Sequence, residues 1–329
     1  MKKIFALLFI SASLSSYAQK HEYRVVKTYH ITSPGGWDYI AVNNNKIYVS
    51  HGTQVNILNE NSGDSIGYIP NTNGVHGIAF DNALNKGYTS NGRSNNVTVF
   101  DLNTNKVLGE IATGENPDAI MYEPYSKSIV TCNGRSKNLS IIDPKQNKVI
   151  ATIDVGGKPE TAVSDAAGKV FVNIEDKNEI VEVNMKTNKV EKRWSLSPAE
   201  GPTGLEYDTK TRRLFAGCEK MLVVLDADNG KIVDKLPIGN GCDGVAFDPK
   251  NKIIYTSNGE GTITVIKENS PNSFTVLGNY PTKRGARTIT IDAKNSSLFL
   301  PTAEFEATTA NAQGRPKMIP GTFQVLVVQ

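Results

Sequence analysis

The chain has 329 residues, 21% of them charged, and 36 Lys and Arg against 33 Asp and Glu give a formal net charge of +3. A balance so near zero excludes the electrostatic footprint of a nucleic-acid binder, which depends on an excess of Lys and Arg to neutralise phosphates. A hydrophobic content of 39% with no low-complexity run excludes a disordered chain and fits a folded globule.

In chain order, Lys2 and Lys3 precede the apolar run Ile4 to Ile10, and Ser16-Tyr17-Ala18 offers a small-residue cleavage site. Residues 1–18 therefore read as an export signal, with a periplasmic or secreted mature chain over 19–329 whose charge falls to +1 once the two lysines leave. The apolar run is far short of the ~20 residues that span a bilayer, so no membrane insertion is expected. No cysteine follows the signal, which argues against a lipid anchor.

Beyond Tyr23–Tyr29, a strand with no obvious partner nearby, a pattern recurs seven times. Its copies are centred on Asp38, His76, Asp118, Glu160, Thr203, Asp243 and Arg287, spaced by 38, 42, 42, 43, 40 and 44 residues. The second copy shows the logic. Gly77–Phe80 is a short strand and Asp81–Asn85 supplies turn chemistry. Lys86–Ser90 runs into Asn91-Gly92, a pair suited to a tight reversal. Val97–Phe100 alternates, Asp101–Asn105 turns, and Val107–Ile111 forms the outer strand. Four strands in about 40 residues is the signature of a β-propeller blade, and helical periodicity is absent. The fold class is all-β, a seven-bladed propeller of four antiparallel strands per blade in a single domain.

The last copy supplies strands at 287–291, 297–300 and 323–328 and then stops one strand short. Pairing Tyr23–Tyr29 with the final strand completes the seventh blade and removes two open edges that would otherwise invite aggregation. A monomer is expected from this closure. Blade seven also carries the one substantial insertion, Ala303–Gly321. It lies between the second and third strands, where a long loop reads either as a lid or as an excursion without a role.

Three cysteines occur. Cys218 and Cys242 fall on one face of adjoining blades, either as a disulfide or as two free thiols packed as small apolar residues, with Cys132 left over.

Tyr88-Thr89-Ser90-Asn91 and Tyr255-Thr256-Ser257-Asn258, with Ile129 to Asn133 as a looser copy, resemble the YVTN repeat of bacterial and archaeal seven-bladed propellers, over essentially the whole mature chain. Blades one, four and five depart from the motif at Val49-Ser50-His51, Val172-Asn173-Ile174 and Ala216-Gly217-Cys218. The resemblance implies an exported propeller but no single reaction, since related propellers include lactonase-like enzymes as well as proteins without assigned activity.

In a four-stranded blade the loop entering the inner strand and the loop joining strands two and three emerge on one face, so their polar residues converge on the axial mouth. The candidate ligand-binding residues are Trp37, Asp38, His51, His76, Asn91, Arg93, Asp118, Asn133, Arg135, Glu160, Asp243, Asn258, Arg284, Arg287 and Glu304. Asp and Asn at strand ends also serve their own backbone, the competing reading for each of these singly. His51 and His76 with Asp38 and Asp118 could hold a divalent metal, but no compact ligand spacing appears and no metal or cofactor is assigned. Arg284 and Arg287 are suited to a carboxylate or phosphate.

There is no Gly-x-Ser-x-Gly, no phosphate loop and no haem-attachment motif, which argues against a covalent hydrolase and against covalently attached haem. The expectation is a binding or scaffold module for a small polar or anionic ligand or a cell-envelope protein. The alternative is a lactonase- or lyase-type enzyme that uses His51 or His76 with nearby carboxylates.

Overall fold

A computed structural model describes residues 22–310 and 316–329. The expected export signal lies outside them. Seven four-stranded antiparallel sheets are present. The first is built from Trp37–Asn43, Lys46–His51, Gln54–Asn59 and Ser65–Ile69, and the next five follow the same sequential order.

Blade seven is completed from the other end of the chain. Its order is Thr290–Asp292, Ser297–Thr302, Gln324–Val328 and then Val25–His30, with Val25 opposite Val328 and His30 opposite Gln324. Reciprocal bonds between Arg24 and Gln329 (2.9 and 3.1 Å) extend the seam past the strand ends. Closure thus covers what would have been two free edges, with one irregularity in register between Val25 and Lys27.

The core is divided among the blade interfaces. Between blades one and two Tyr48, Val55, Ile57 and Ile69 meet Ile78 and Phe100, and between blades two and three Ala79, Tyr88 and Val99 meet Ile120, Ile129 and Ile142. Equivalent apolar clusters fill the other five interfaces. Alternating strands put one set of side chains into each neighbour, so no blade buries its apolar faces alone. Apart from a single 3-10 turn at Glu175–Lys177, no helix occurs among the described residues, and none is long and apolar enough to cross a membrane.

The repeat motif has a structural purpose. In blade two Thr89 Oγ1 donates to Asn91 Oδ1 (2.9 Å), and Asn91 Nδ2 donates to Asn96 Oδ1 and Thr98 Oγ1 (both 2.8 Å). Asn133 and Asn258 make the same set of bonds in blades three and six. All three asparagines are buried, clamping the second strand to the third. The serine between fastens the inner strands instead. Ser90 Oγ receives Gly77 N (2.8 Å) and donates to the Asp118 carbonyl, and Ser50 Oγ receives Asp38 N (3.0 Å).

Cys218 and Cys242 are both buried and unbonded, their Sγ atoms directed at the Ala216 and Gly244 carbonyls, and Cys132 is buried and free as well.

Candidate functional site

Five of the ring residues stand at a break in strand register, whereas Arg287 precedes its strand. The pairing of inner with second strand shifts between Trp37 and Ile40, Val75 and Ile78, Pro117 and Ile120, Pro159 and Ala162, and Cys242 and Gly244. A bulge admits an extra residue and re-aims its side chain. Here the residues so placed are Asp38, His76, Asp118, Glu160 and Asp243.

The ring is cross-linked between blades. Asp38 takes two partners, with Oδ2 2.5 Å from His76 Nδ1 and Oδ1 accepting from Arg287 Nη2 at 3.1 Å. Arg287 continues through Nε to Asp243 Oδ2 at 3.1 Å. Asp118 Oδ1 lies 3.7 Å from His76 Nδ1. On the far side Lys158 sits 2.5 Å from Glu160 and also bonds Glu175.

Burial sets the protonation of this ring. Burial first, and the Asp38 charge against the opposing pull of His76, push Asp118 up to about 6. Burial likewise takes Asp243 to about 6 against the pull of Arg287. Burial and the neighbouring Asp118 charge push Glu160 to about 9, with Lys158 opposing. Burial alone would lower His76, but its hydrogen bond to Asp38 and the charge of Asp118 prevail and raise it. Several carboxylates crowded into one half-buried ring ionise together only where cations match them.

Above the ring lies an open cavity of about 710 Å³, walled by Trp37, Asp38, His76, Arg93, Asn116, Arg135 and Arg287 with backbone of the loops at Gly35, Gly52 and Gly74. Entry loops and second-to-third-strand loops therefore share one mouth. A second, apolar pocket of about 130 Å³ lies against blades one to four, beside Tyr39, Ile78, Ala119, Met121 and Ala162.

The candidate residues divide by environment. Asp38, His76, Asp118, Glu160, Asp243 and Arg287 form the ring, and exposed Arg93 and Arg135 stand on the cavity wall. Asn91, Asn133 and Asn258 are the strand clamps already described. His51 is fully buried, stacked on Phe323 at 3.9 Å, with Nε2 donating to the Gly35 carbonyl (2.9 Å) and Nδ1 meeting Ser33 Oγ (2.8 Å). Trp37 stacks on Phe323 at 5.4 Å, and its indole nitrogen is buried without a hydrogen bond among the described residues. Arg284 is exposed, and Glu304 pairs with Lys283 at 2.5 Å.

The described part of the blade-seven insertion is a hairpin, Phe305–Ala310 with Pro316–Met318. Phe305 lies 6.1 Å from the Trp37 ring, yet no described residue of the hairpin lines the cavity. Sequence reasoning missed Lys158, which bridges two carboxylates. It also missed Tyr39, one position past Asp38, whose hydroxyl burial and the Asp118 charge raise well above its usual value.

No family model matches the sequence, and no curated protein matches it. Among solved structures 1718 chains match. One is a chain of Kuenenia stuttgartiensis hydrazine synthase, with a TM-score of 0.72, 14% identity, and coverage of 82% of this chain and 94% of that one. Another is the WD40-repeat domain of RRP9, with a TM-score of 0.77, 8% identity, and coverage of 94% and 98%. These likenesses show the fold alone. Matches so numerous at such low identity carry no reaction or ligand to this chain.

Proposed function

We propose that the chain is an exported ligand-binding module of the YVTN-repeat kind, whose mouth takes a small polar molecule bearing a carboxylate or phosphate. The observation that carries this reading is the cavity itself, with Arg93, Arg135 and Arg287 on its wall above a ring of carboxylates. Arg287 is held in place by Asp38 and Asp243, while its third nitrogen, Nη1, is buried with no hydrogen-bond partner among the described residues. A planar guanidinium fixed in this way is pre-organised for anions, and binding then costs little side-chain entropy. Export is supported by the Lys2-Lys3, apolar and Ser16-Tyr17-Ala18 series.

Calorimetric titration with succinate, glycerol phosphate and inorganic phosphate tests the reading. At least one should bind saturably, and replacing Arg93 and Arg135 together by Ala should weaken it at least tenfold. Absence of binding by all three, or an unchanged affinity in the double variant, would refute it.

The Asp38–His76 contact favours a second reading, in which Asp38 orients His76 as an acid or base for lactonase- or lyase-type chemistry. In that case Nε2 must reach substrate, but it faces the Gly92 backbone. Turnover of lactones abolished by His76→Ala would favour this reading over simple capture.

A further inference from the structure

Three successive blades each bring one metal-ligating atom to a common point. Asp38 Oδ2 and Asp118 Oδ1 lie 2.5 and 3.7 Å from the same nitrogen, His76 Nδ1, and the ligating atoms of the three residues all lie within 4.8 Å of one another. One imidazole nitrogen carries at most one proton and can donate to only one of the two carboxylates. Asp38, at hydrogen-bond distance, takes it.

Asp118 is left over. It is only 9% exposed, and its carboxylate accepts no hydrogen bond among the described residues. The permanent cations of the ring are engaged elsewhere, Arg287 with Asp38 and Asp243, Lys158 with Glu160 and Glu175. Leaving a buried carboxylate in that state is costly. A divalent ion at the shared point would answer both carboxylates and the imidazole lone pair together.

We propose that the mouth holds a divalent first-row transition metal, zinc or a near neighbour, on Asp38, His76 and Asp118. This deepens, and rests on, the ligand-binding reading of the same mouth. Spacings of 2.5 and 3.7 Å bracket the roughly 3.3 Å between ligand atoms in a tetrahedral site with bonds of about 2.0–2.1 Å. One imidazole and two carboxylates suit zinc, manganese or iron better than soft-ligand metals.

The surroundings match those of an open metal site. Arg287 grips Asp38 Oδ1, the oxygen the metal would not use, and so orients the other. Ser50 and Ser90 fix the backbone of the strands that bear the ligands. Three protein ligands below a cavity of about 710 Å³ leave coordination positions facing solvent, the arrangement of a metal that captures a ligand rather than one that merely braces a fold. A carboxylate or phosphate bound to the metal would then extend toward Arg93 and Arg135 on the cavity wall.

The test uses the full chain stripped with chelator and titrated with Zn(II) by calorimetry and with Co(II) by visible absorption. One ion per chain is expected. Asp118→Asn and His76→Ala should each weaken it by more than about 100-fold, and Arg287→Lys, which acts through Asp38, by about 10- to 100-fold. His30→Ala, on an outer strand, should change nothing. Near-UV circular dichroism of each variant separates loss of metal from loss of fold, and Asp118→Asn is close to isosteric. No saturable binding, or stoichiometric binding that survives His76→Ala in a folded protein, overturns the site. Succinate and phosphate binding by the stripped protein is read separately. If it persists where no metal binds, the metal site falls and the mouth reading stands, whereas loss of both removes the two together.

Discussion

The imidazole of His76 leans on Gly92 so closely that a Cβ on that glycine would lie 2.6 Å from Nε2 and 2.9 Å from Asn116 Oδ1. The atoms met are side-chain ends, and the imidazole can yield to a methyl only by giving up its 2.5 Å contact with Asp38. Gly92 does not occupy the left-handed region, so alanine is acceptable to its backbone and acts only through this contact.

Gly92→Ala should therefore displace His76 from Asp38 while the propeller stays folded. We expect stability to fall by about 1–3 kcal/mol, the usual cost of an extra methyl in a filled site. Affinity for any mouth ligand should drop at least tenfold. Urea denaturation and calorimetry on the same preparation check both, and unchanged affinity would show that His76 takes no part in binding.

The motif asparagines should behave oppositely. Asn133→Ala removes two donated bonds and one accepted bond inside a blade, with no place on the cavity wall. A loss of about 1–3 kcal/mol is expected. Arg135→Ala, two residues on and exposed, should stay within about 0.5 kcal/mol in stability. The urea midpoints of the two variants give the comparison.

Ring closure predicts that the N-terminal strand is not dispensable. A chain beginning after His30 loses the partner of Gln324–Val328 and uncovers the edge of that strand. It should unfold less cooperatively and aggregate at concentrations where the full chain stays in solution, as light scattering would record.

Glu206 gives the protein a pH dependence with a definite sign. Burial, with no opposing charge among the causes, pushes it up to about 7 from the ordinary glutamate value. A carboxyl raised on folding binds its proton more tightly in the native state, so its contribution is intact below the unfolded value near 4.5 and is lost as pH rises through about 7. Glu206→Gln should remove a decline on the order of 2 kcal/mol between pH 5 and pH 8. Denaturation midpoints across that interval in both proteins measure it, and identical slopes would contradict the assignment.

How far the sequence reveals the site follows from what a repeat encodes. The spacing of Asp38, His76, Asp118, Glu160, Asp243 and Arg287 fixes that they meet on one face, because equivalent positions in a closed ring must. The direction of a side chain at a strand end is not encoded in that way. Asn91 and His51 both end second strands, and pairing turns both into the protein, one to Thr98 and the other to Gly35. The register shift that turns Asp38 toward the axis leaves no mark in composition. Lys158 lies two residues before Glu160 and appears as one surface lysine among many until the fold sets it between Glu160 and Glu175. Glu206 could have been found by aligning the copies, since it stands where blade three has Met121.

The most direct measurement is the side-chain nitrogen spectrum of the four histidines, recorded before and after a mouth ligand is added. Occupancy of the proposed site should shift the His76 resonances while those of His30, on an outer strand, stay in place. Saturable binding that leaves His76 unmoved would contradict the assignment of the ring as the place where this propeller meets its ligand.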